Sequence, residues 1–245
     1  MAKRVLVVGG SEEFVGAVYL AGIGALRGGA ESVIIMAPEK VAWALNTLSP
    51  DLMTRKLKGK YLTRAHESTI KHQLKTADIL LLGNGAGIRP ETAALMRTLM
   101  RLPIPKIVDA DALKALRRNY VRNAILTPNE GEWKLLRVHN SIDLILKNAN
   151  VIIKKGPEAE ILSNRKKTRL RKTNPGLTKA GMGDVLAGLC AGHLAQGLSL
   201  WDSAQKACKM GNRIANILTK RKKGYYFLAS DLVKELQKAK QHAYT

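Results

Sequence analysis

The chain has 245 residues, of which 46% are apolar. This excludes a disordered chain and is enough for one α/β domain with a substantial core. No apolar run approaches the ~20 residues of a membrane span, and the first one is too short for a signal peptide, so we expect a cytoplasmic protein without a membrane segment.

Charge is the unusual property of the composition. The chain carries 41 Lys and Arg against 19 Asp and Glu, a net charge of +22. Such a balance suits anionic partners in general. No nucleic-acid-binding motif is present and only 4% of the residues are aromatic, so we do not expect nucleic acid as a partner.

Apolar runs and helical stretches alternate through the first two thirds of the chain. Strands are predicted at 4–10, 32–38, 78–87, 106–113, 124–133 and 151–156, and helices at 15–28, 39–47, 66–76 and 90–101. Strands that are apolar on both faces and separated by helices favour a mostly parallel sheet covered on both sides.

The last third of the chain has a different pattern. Residues 159–173 predict two strands around a polar turn, which places the basic cluster 164–172 at a hairpin tip. Helices are predicted at 184–196, 200–219 and 229–240, with a second basic cluster at 220–223. Without repeats or linkers, the whole of 1–245 is interpreted as one α/β domain, a three-layer α/β/α sandwich.

The loop before the helix at 184 has the chemistry of an anion site. Gly181 and Gly183 allow close approach of the backbone to phosphate oxygens. The unpaired N–H groups of a helix N-terminus attract anions, and Asp184 adds a carboxylate there that can act as a base. The alternative is that Asp184 is an N-cap. A Walker loop is absent, and GIGALR (22–27) fails the dinucleotide pattern GxGxxG at its last position.

Seven blocks together resemble the ADP/ATP-dependent NAD(P)H-hydrate dehydratases. In family order they are GGSEEFVGA (9–17), GNGAG (83–87), IVDADAL (107–113), LTPNEGE (126–132), KKG (154–156), NPGLTKAGMGD (174–184) and ASDL (229–232). The family patterns include GPGLG for the second block and NPGMATGGTGD for the sixth. Each block is weak alone, but together they span nearly the whole chain.

The resemblance implies a ribokinase-like fold and a repair reaction. Hydrated NADH or NADPH would be phosphorylated on its ring hydroxyl by ADP or ATP, with Mg²⁺, and phosphate would leave by elimination. Self-association into a homo-oligomer is also implied. Asp184 would be the catalytic base, and the anion hole would be formed by Ala180, Gly181, Met182 and Gly183.

Binding residues are carried over by position from the same family. The hydrated nucleotide would contact Ala17, Gly87, Asn129 and Asp184. The phosphate donor would contact Lys155, Gly156, Pro157, Glu158, Ala159 and Gly183, while Asn174 would either hold the loop or face the donor phosphates. No protein-held metal site is expected.

Departures from the family leave other functions open. Ala180 shifts the loop toward the AGxGD of sugar and vitamin kinases, Lys179 adds a cation, and Asn129 replaces a histidine. The alternative activity is therefore phosphorylation of a small hydroxylated metabolite. A catalytically inactive basic protein associated with nucleic acid is the third possibility.

Several side chains have a structural interpretation beside the functional one. Asp109 and Asp111 are either a Mg²⁺ pair or caps of the next helix. Asn129 and Glu132 fit a capping box. Phe14 is either a core residue or a wall of the nicotinamide pocket. His193 and the two cysteines are expected in the core, the cysteines as reduced thiols.

Overall fold

The computed structural model describes residues 3–118, 120–170 and 173–238. Its strands are β1 Arg4–Val8, β2 Ser32–Pro38, β3 Met53–Leu57, β4 Ile79–Leu82, β5 Lys106–Val108, β6 Ala124–Leu126, β7 Val151–Lys154, β8 Ala159–Leu162 and β9 Lys167–Leu170. Its α-helices are α1 Val15–Arg27, α2 Glu39–Leu48, α3 Glu67–Leu74, α4 Pro90–Met100, α5 Ala110–Ala115, α6 Glu130–His139, α7 Ile142–Lys147, α8 Met182–Ala195, α9 Leu200–Arg221 and α10 Ala229–Leu236.

The strands form a single sheet in the order β3-β2-β1-β4-β5-β6-β7-β8-β9. Pairing is parallel from β3 to β7, and β8 and β9 extend the sheet antiparallel. The chain moves one way from β1 to β2 and the other way to β4. In open parallel sheets, ligands bind beyond the carboxyl ends of the strands at such a switch point.

Helices cover both faces of the sheet, as the alternating burial of β1 illustrates. Val5 and Val7 contribute to one apolar cluster, and Leu6 and Val8 to the other. The first cluster is closed by α1, α2, α8, α9 and α10, and the second by α3 to α7. The predicted α/β three-layer sandwich with a mostly parallel sheet is therefore confirmed.

Helices α1 and α8 pack backbone against backbone. A Cβ atom on Gly188 would lie 2.2 Å from the carbonyl oxygen of Ala21, and one on Gly192 would lie 2.3 Å from that of Ala25. On α1, a Cβ on Gly24 would lie 2.9 Å from the carbonyl oxygen of Val185. Only glycine permits this approach, which fixes α8 against the rest of the layer.

Two elements were missed by the sequence prediction. β3 has the sequence MTRKL and lies at the edge of the sheet with mostly exposed side chains, so it has no apolar run. α7 has six residues, too few for a periodic pattern. The other predicted elements are present.

Turns end the strands within the predicted segments, and the segment 78–87 opens into a glycine loop as expected. β4 ends at Leu82, and Gly83 follows with a φ of 105°. β6 ends at Leu126, since Pro128 and the cap residue Asn129 come next. The hairpin at 159–173 is confirmed as β8 and β9, although residues 171–172 of its basic cluster lie outside the described residues, as do 239–240 of the last predicted helix.

Candidate active site

Asp184 lies in the first turn of α8, at the carboxyl edge of the sheet. The N-cap of this helix is Gly181, whose φ of 83° is in the left-handed region that favours glycine. Asp184 is the third residue of the helix and is not its N-cap, so the capping alternative was wrong. Its carboxylate is free to take part in a site.

The surroundings of Asp184 favour its protonated form. Burial is the main cause, followed by the nearby charge of Asp109, and together they raise the pKa of Asp184 to about 7. A hydrogen bond from Asn84 and the charge of Lys155 act in the opposite direction. A carboxylate with this pKa can accept and release a proton near neutral pH.

A buried polar network connects Asp184 to the ends of the neighbouring strands. Asn84 Nδ2 donates to Asp184 Oδ1 at 2.8 Å and to Asp109 Oδ2 at 3.0 Å. Asp109 Oδ1 accepts from Thr127 Oγ1 at 2.6 Å and from Lys155 Nζ at 3.0 Å. The network therefore crosses the ends of β4, β5, β6 and β7 and reaches the first turn of α8.

Lys155 provides the cation of this network. Burial lowers the pKa of Lys155, but the charges of Asp109 and Glu132 outweigh burial and raise it overall. The ammonium lies 3.0 Å from Asp109 and 3.9 Å from Glu132 Oε2. It also lies 3.1 Å from the position of a Cβ on Gly183, so this cation sits directly beside the N-terminal turn of α8.

The carboxylates of Asp109 and Asp111 accept hydrogen bonds from protein groups, and their pairing around Mg²⁺ stays a prediction. Both oxygens of Asp109 accept bonds from the network, and Asp111 accepts from Gly87 N at 2.9 Å and from Lys114 Nζ at 2.8 Å. Within residues 3–118, 120–170 and 173–238, no cluster of three His, Cys, Asp or Glu residues suits a metal. Asp109 stands at the N-cap position of α5, as the capping alternative expects, but its side chain makes no cap bond to the helix.

Asn129 and Glu132 form the predicted capping box of α6. Asn129 Oδ1 accepts from Glu132 N, and Glu132 Oε2 accepts from Asn129 N, each at 2.9 Å. Burial is the main reason that the pKa of Glu132 is raised. The capping box places Asn129 at the rim of the same site as Lys155.

The loop before α8 is partly occupied by its own contacts. Met182 N donates to Lys179 O at 3.2 Å, and the Met182 side chain is buried in the core. Lys179 Nζ donates to the carbonyl oxygens of Tyr225 and Phe227, so the cation noted in the sequence fastens the α9–α10 connection. The first-turn amides of Gly183 and Asp184 have no partner further back in the helix and are the best-placed donors for an anion.

A cavity of about 1150 Å³ opens beside this loop. Its walls bring together these predicted residues: Asn129, Lys155, Gly156, Pro157, Ala159, Asn174, Ala180, Gly181, Met182, Gly183 and Asp184. Of the predicted residues that the structure describes, Ala17, Gly87 and Glu158 are not in its walls. Glu158 instead pairs with Arg169 at 3.3 Å.

Ala17 lies in the first turns of α1, and Gly87 lies in the glycine loop that follows β4. A Cβ on Gly85 would lie 3.1 Å from Ala17 Cβ and 2.8 Å from Phe14 Cβ, so the glycine loop packs on the start of α1. Phe14 is 57% exposed, which excludes the core interpretation of this residue. Of the predicted substrate residues, Asn129 and Asp184 therefore lie in the cavity walls with the donor residues, whereas Ala17 and Gly87 lie outside them.

Asn174 holds the loop that leads to α8. Its Oδ1 accepts from Gly176 N at 2.9 Å, and its Nδ2 donates to Asn216 Oδ1 and Thr219 Oγ1 of α9. The first of the two interpretations of Asn174 is thus the one that the geometry supports.

His193 is too distant to assist the chemistry at Asp184. It is buried nine residues further along α8, roughly 13 Å along the helix axis. Burial lowers its pKa to about 4, so it is neutral at physiological pH. Cys190 and Cys208 are buried free thiols, as expected.

Two residues of the network were not predicted as site residues. Asn84 lies 100 positions from Asp184 in the sequence, and Thr127 lies 18 from Asp109. Asn84 stands out only as a departure from the family's GPGLG. Thr127 is part of the LTPNEGE block, but nothing in the block assigns it a contact.

The chain is similar to proteins of one known family. A family model described as NAD(P)H-hydrate dehydratase matches residues 5–238. The bifunctional NAD(P)H-hydrate repair enzyme Nnr of Methanothermobacter thermautotrophicus is 35% identical over 254 residues, covering 94% of this chain and 48% of that protein. The enzyme of the same name from Pyrobaculum aerophilum is 32% identical and covers 95% of this chain and 49% of its own length.

Solved structures agree on the fold. The ADP/ATP-dependent NAD(P)H-hydrate dehydratase of Bacillus subtilis, co-crystallised with ATP/Mg²⁺ and soaked with CoA, has a TM-score of 0.79 at 22% identity, with 96% of this chain and 91% of that one covered. A ribokinase-like superfamily protein of Enterococcus faecalis also has a TM-score of 0.79, at 21% identity, with 95% and 84% covered. The ribokinase-like fold is therefore shown.

Proposed function

The chain belongs to the NAD(P)H-hydrate dehydratase family, and we propose that it dehydrates hydrated NADH or NADPH with ADP or ATP as the phosphate donor. The chain spans about half the length of the curated relatives that it matches, 48% of the first. The proposal therefore concerns the activity of this domain, residues 1–245.

One observation carries the proposal: a carboxylate with a pKa near neutrality lies at the N-terminus of a helix, beside a buried ammonium and a large cavity. Asp184 has a pKa of about 7, and Lys155 lies beside Gly183 of the same helical turn. A base, an anion-binding helix end and room for a nucleotide are the components that phosphoryl transfer to a hydroxyl requires.

In the first step, Asp184 takes the proton of the ring hydroxyl. The oxygen of that hydroxyl attacks the terminal phosphorus of the donor. The P–O bond to the nucleotide breaks, and the shortened nucleotide leaves. The amides of Gly183 and Asp184, together with the ammonium of Lys155, stabilise the charge of the transferring phosphoryl group. The donor occupies the cavity lined by Lys155, Gly156, Pro157, Ala159 and Asn174.

In the second step, the C–O bond of the phosphate ester breaks and phosphate leaves with the bonding electrons. The neighbouring ring carbon loses a proton, and the electron pair of that C–H bond restores the ring double bond. Phosphorylation is useful because phosphate is a much better leaving group than hydroxide. Ala17, Gly87 and Asn129 are proposed to contact the hydrated nucleotide.

Magnesium is proposed to arrive with the donor and not to reside in the protein. Asp109 and Asp111 use their oxygens for other contacts, so the described residues do not provide a carboxylate cage. Mg²⁺ is commonly held by substrate phosphates with few protein ligands.

The test follows the absorbance at 340 nm of hydrated NADH incubated with the protein, Mg²⁺, and ADP or ATP in turn. We expect absorbance to recover with one donor, and Asp184→Asn to lower the rate by at least about 10³-fold because the base is lost. An active Asp184→Asn variant would contradict the role of this residue.

Kinase activity is the second candidate, and Ala180 is the residue that favours it. Folded protein that binds nucleotide but restores no absorbance with either donor would point to that activity. Consumption of ATP with a small hydroxylated metabolite, with phosphate retained on the product, would then establish it.

A further inference from the structure

Asn84 follows β4 as the second residue of the glycine loop GNGAG. The family pattern has proline at this position, and proline has no side-chain donor. Asparagine therefore brings two side-chain N–H groups to a place where the pattern has none.

Both of these N–H groups are used on carboxylates. Asn84 Nδ2 lies 2.8 Å from Asp184 Oδ1 and 3.0 Å from Asp109 Oδ2. Turning the amide over would place Oδ1 against two carboxylate oxygens, so only one orientation is compatible with its surroundings. Asn84 is the link between the two acids.

The backbone fixes the side chain in place without help from a ligand. Asn84 O accepts from Gly10 N at 2.9 Å, and a Cβ on Gly9 would lie 2.5 Å from the same oxygen. A Cβ on Gly83 would lie 2.2 Å from Asp109 O. The loop is thus held between the segments that follow β1 and β5.

Packing alone does not explain an asparagine here. The side chain is fully buried, and its Oδ1 has no hydrogen-bond partner among the residues that the structure describes. A buried acceptor without a partner is unfavourable, and leucine, which has a similar shape, would avoid the penalty. The useful part of Asn84 is therefore its donor group.

We propose that Asn84 is a positioning residue for Asp184, which holds this carboxylate beside Asp109 and favours its ionised form. The effect of Asn84 on catalysis rests on the proposed function. Its positioning of the Asp184 carboxylate does not depend on that function.

The charges around Asp184 explain why this donor matters. Asp109 and Asp111 oppose ionisation of Asp184, and Lys155 favours it. Burial opposes ionisation more strongly than any of these charges. Without Asn84, Lys155 would be the main side chain that still favours the ionised form of Asp184.

The first test is an NMR titration of protein labelled with ¹³C at the aspartate carboxyl carbons. The Asp184 signal is assigned by its loss in Asp184→Asn. In Asn84→Leu, we expect the titration midpoint to rise from about 7 by roughly one unit. The acid limb of the kcat profile should move by the same amount, with kcat recovering at high pH.

Two further variants serve as second test and control. Asn84→Pro introduces the residue of the family pattern, removes the same donor, and is expected to raise the midpoint as leucine does. Thr127→Val removes a donor from Asp109 only, whose Oδ1 lies 2.6 Å from Thr127 Oγ1. This variant should not raise the titration midpoint of Asp184.

The outcomes separate the inference from the proposed function. Unchanged midpoints in the folded Asn84 variants, or a loss of kcat that is equal at every pH, would overturn the role of Asn84. A raised midpoint in a protein without dehydratase activity would support that role and would count against the dehydratase alone.

Discussion

The carboxylate of Asp184 lies half-buried between Asn84 and the acidic side chain of Asp109. Its surroundings raise the pKa of Asp184 from 3.8 to about 7, so the folded protein holds this proton more tightly than the unfolded chain does. Through this group, stability is therefore greatest below the unfolded pKa and falls as the pH rises from about 4 to about 7. At neutral pH, the burial of this carboxylate therefore weakens the fold.

Asp184→Asn should therefore stabilise the protein at alkaline pH. Asparagine keeps an acceptor for Asn84 and has no charge to bury, so we expect the free energy of unfolding at pH 8 to rise by about 1–3 kcal/mol. The gain should vanish near pH 4, where the folded wild type is protonated. Urea unfolding at the two pH values measures this difference, and a variant that is less stable at pH 8 would contradict it.

Local contacts of single residues were predictable from sequence, and long-range ones were not. The capping box of Asn129 and Glu132 is a pattern of spacing three, and its bonds formed as predicted. The bond from Asn84 to Asp184 depends on β4 and α8 meeting across 100 positions of sequence. No local pattern contains that information, so the contact of Asn84 with Asp184 was not predicted.

At the scale of elements, the seam between α1 and α8 determines where Asp184 lies. Gly24 and Gly28 of the first helix and its C-cap face Gly188 and Gly192 of the second. The one-turn spacing of Gly188 and Gly192 predicts close packing of α8 against the sheet, but both glycines face α1 instead. Spacing could not identify α1 as the partner, because the two helices are separated by most of the chain. The contact between α1 and α8 is visible only in the folded structure.

Gly188→Ala should break this seam. The added Cβ would lie 2.2 Å from the carbonyl oxygen of Ala21, so the helices must separate, at a cost of about 3 kcal/mol or more. We expect a lower melting temperature and reduced kcat, because the first turn of α8 moves with the helix.

Gly211→Ala in α9 is the matched control, since a Cβ there meets no atom within 4 Å. It should be neutral or stabilising by about 0.5–1 kcal/mol, because alanine is the better helix former. Equal destabilisation by Gly188→Ala and Gly211→Ala would contradict the claim that close backbone packing between α1 and α8 requires glycine.

At the scale of the whole molecule, the basic residues differ in what they contact. In the basic cluster at the end of α9, Arg221 pairs with Glu235 and Lys222 with Asp231 of α10, whereas Lys220 lines the cavity. Among the residues that the structure describes, no helix is long and apolar enough to cross a membrane. Some of the 41 basic side chains therefore connect α9 to α10 through ion pairs, and Lys220 faces the space where anionic nucleotides would bind.

Capture of the nucleotide should depend on salt. If positive potential steers the polyanionic donor, kcat/KM should fall several-fold, roughly 3–10, between 20 and 200 mM salt while kcat changes little. Lys220→Gln should flatten this dependence. Lys75→Gln, which removes a lysine next to α3 on the opposite face of the sheet, should not. A salt-independent kcat/KM would contradict steering.

Fold class was predictable at this scale because alternating apolar runs and helices permit few arrangements. The cavity was not predictable from the sequence, because its walls come from loops, α8 and α9 at distant positions of the chain. Self-association and the single-domain assignment of 1–245 remain predictions.

The glycine seam also limits how this protein can change over evolutionary time. Where side chains fill the gap between two helices, one substitution can be absorbed by another, and the helices drift by small steps. Here the main chains of α1 and α8 meet directly, so no side chain is available to compensate. Sequences descended from this one can vary widely around the seam, yet each inherits the same orientation of α8 and, with it, the same direction for the carboxylate of Asp184.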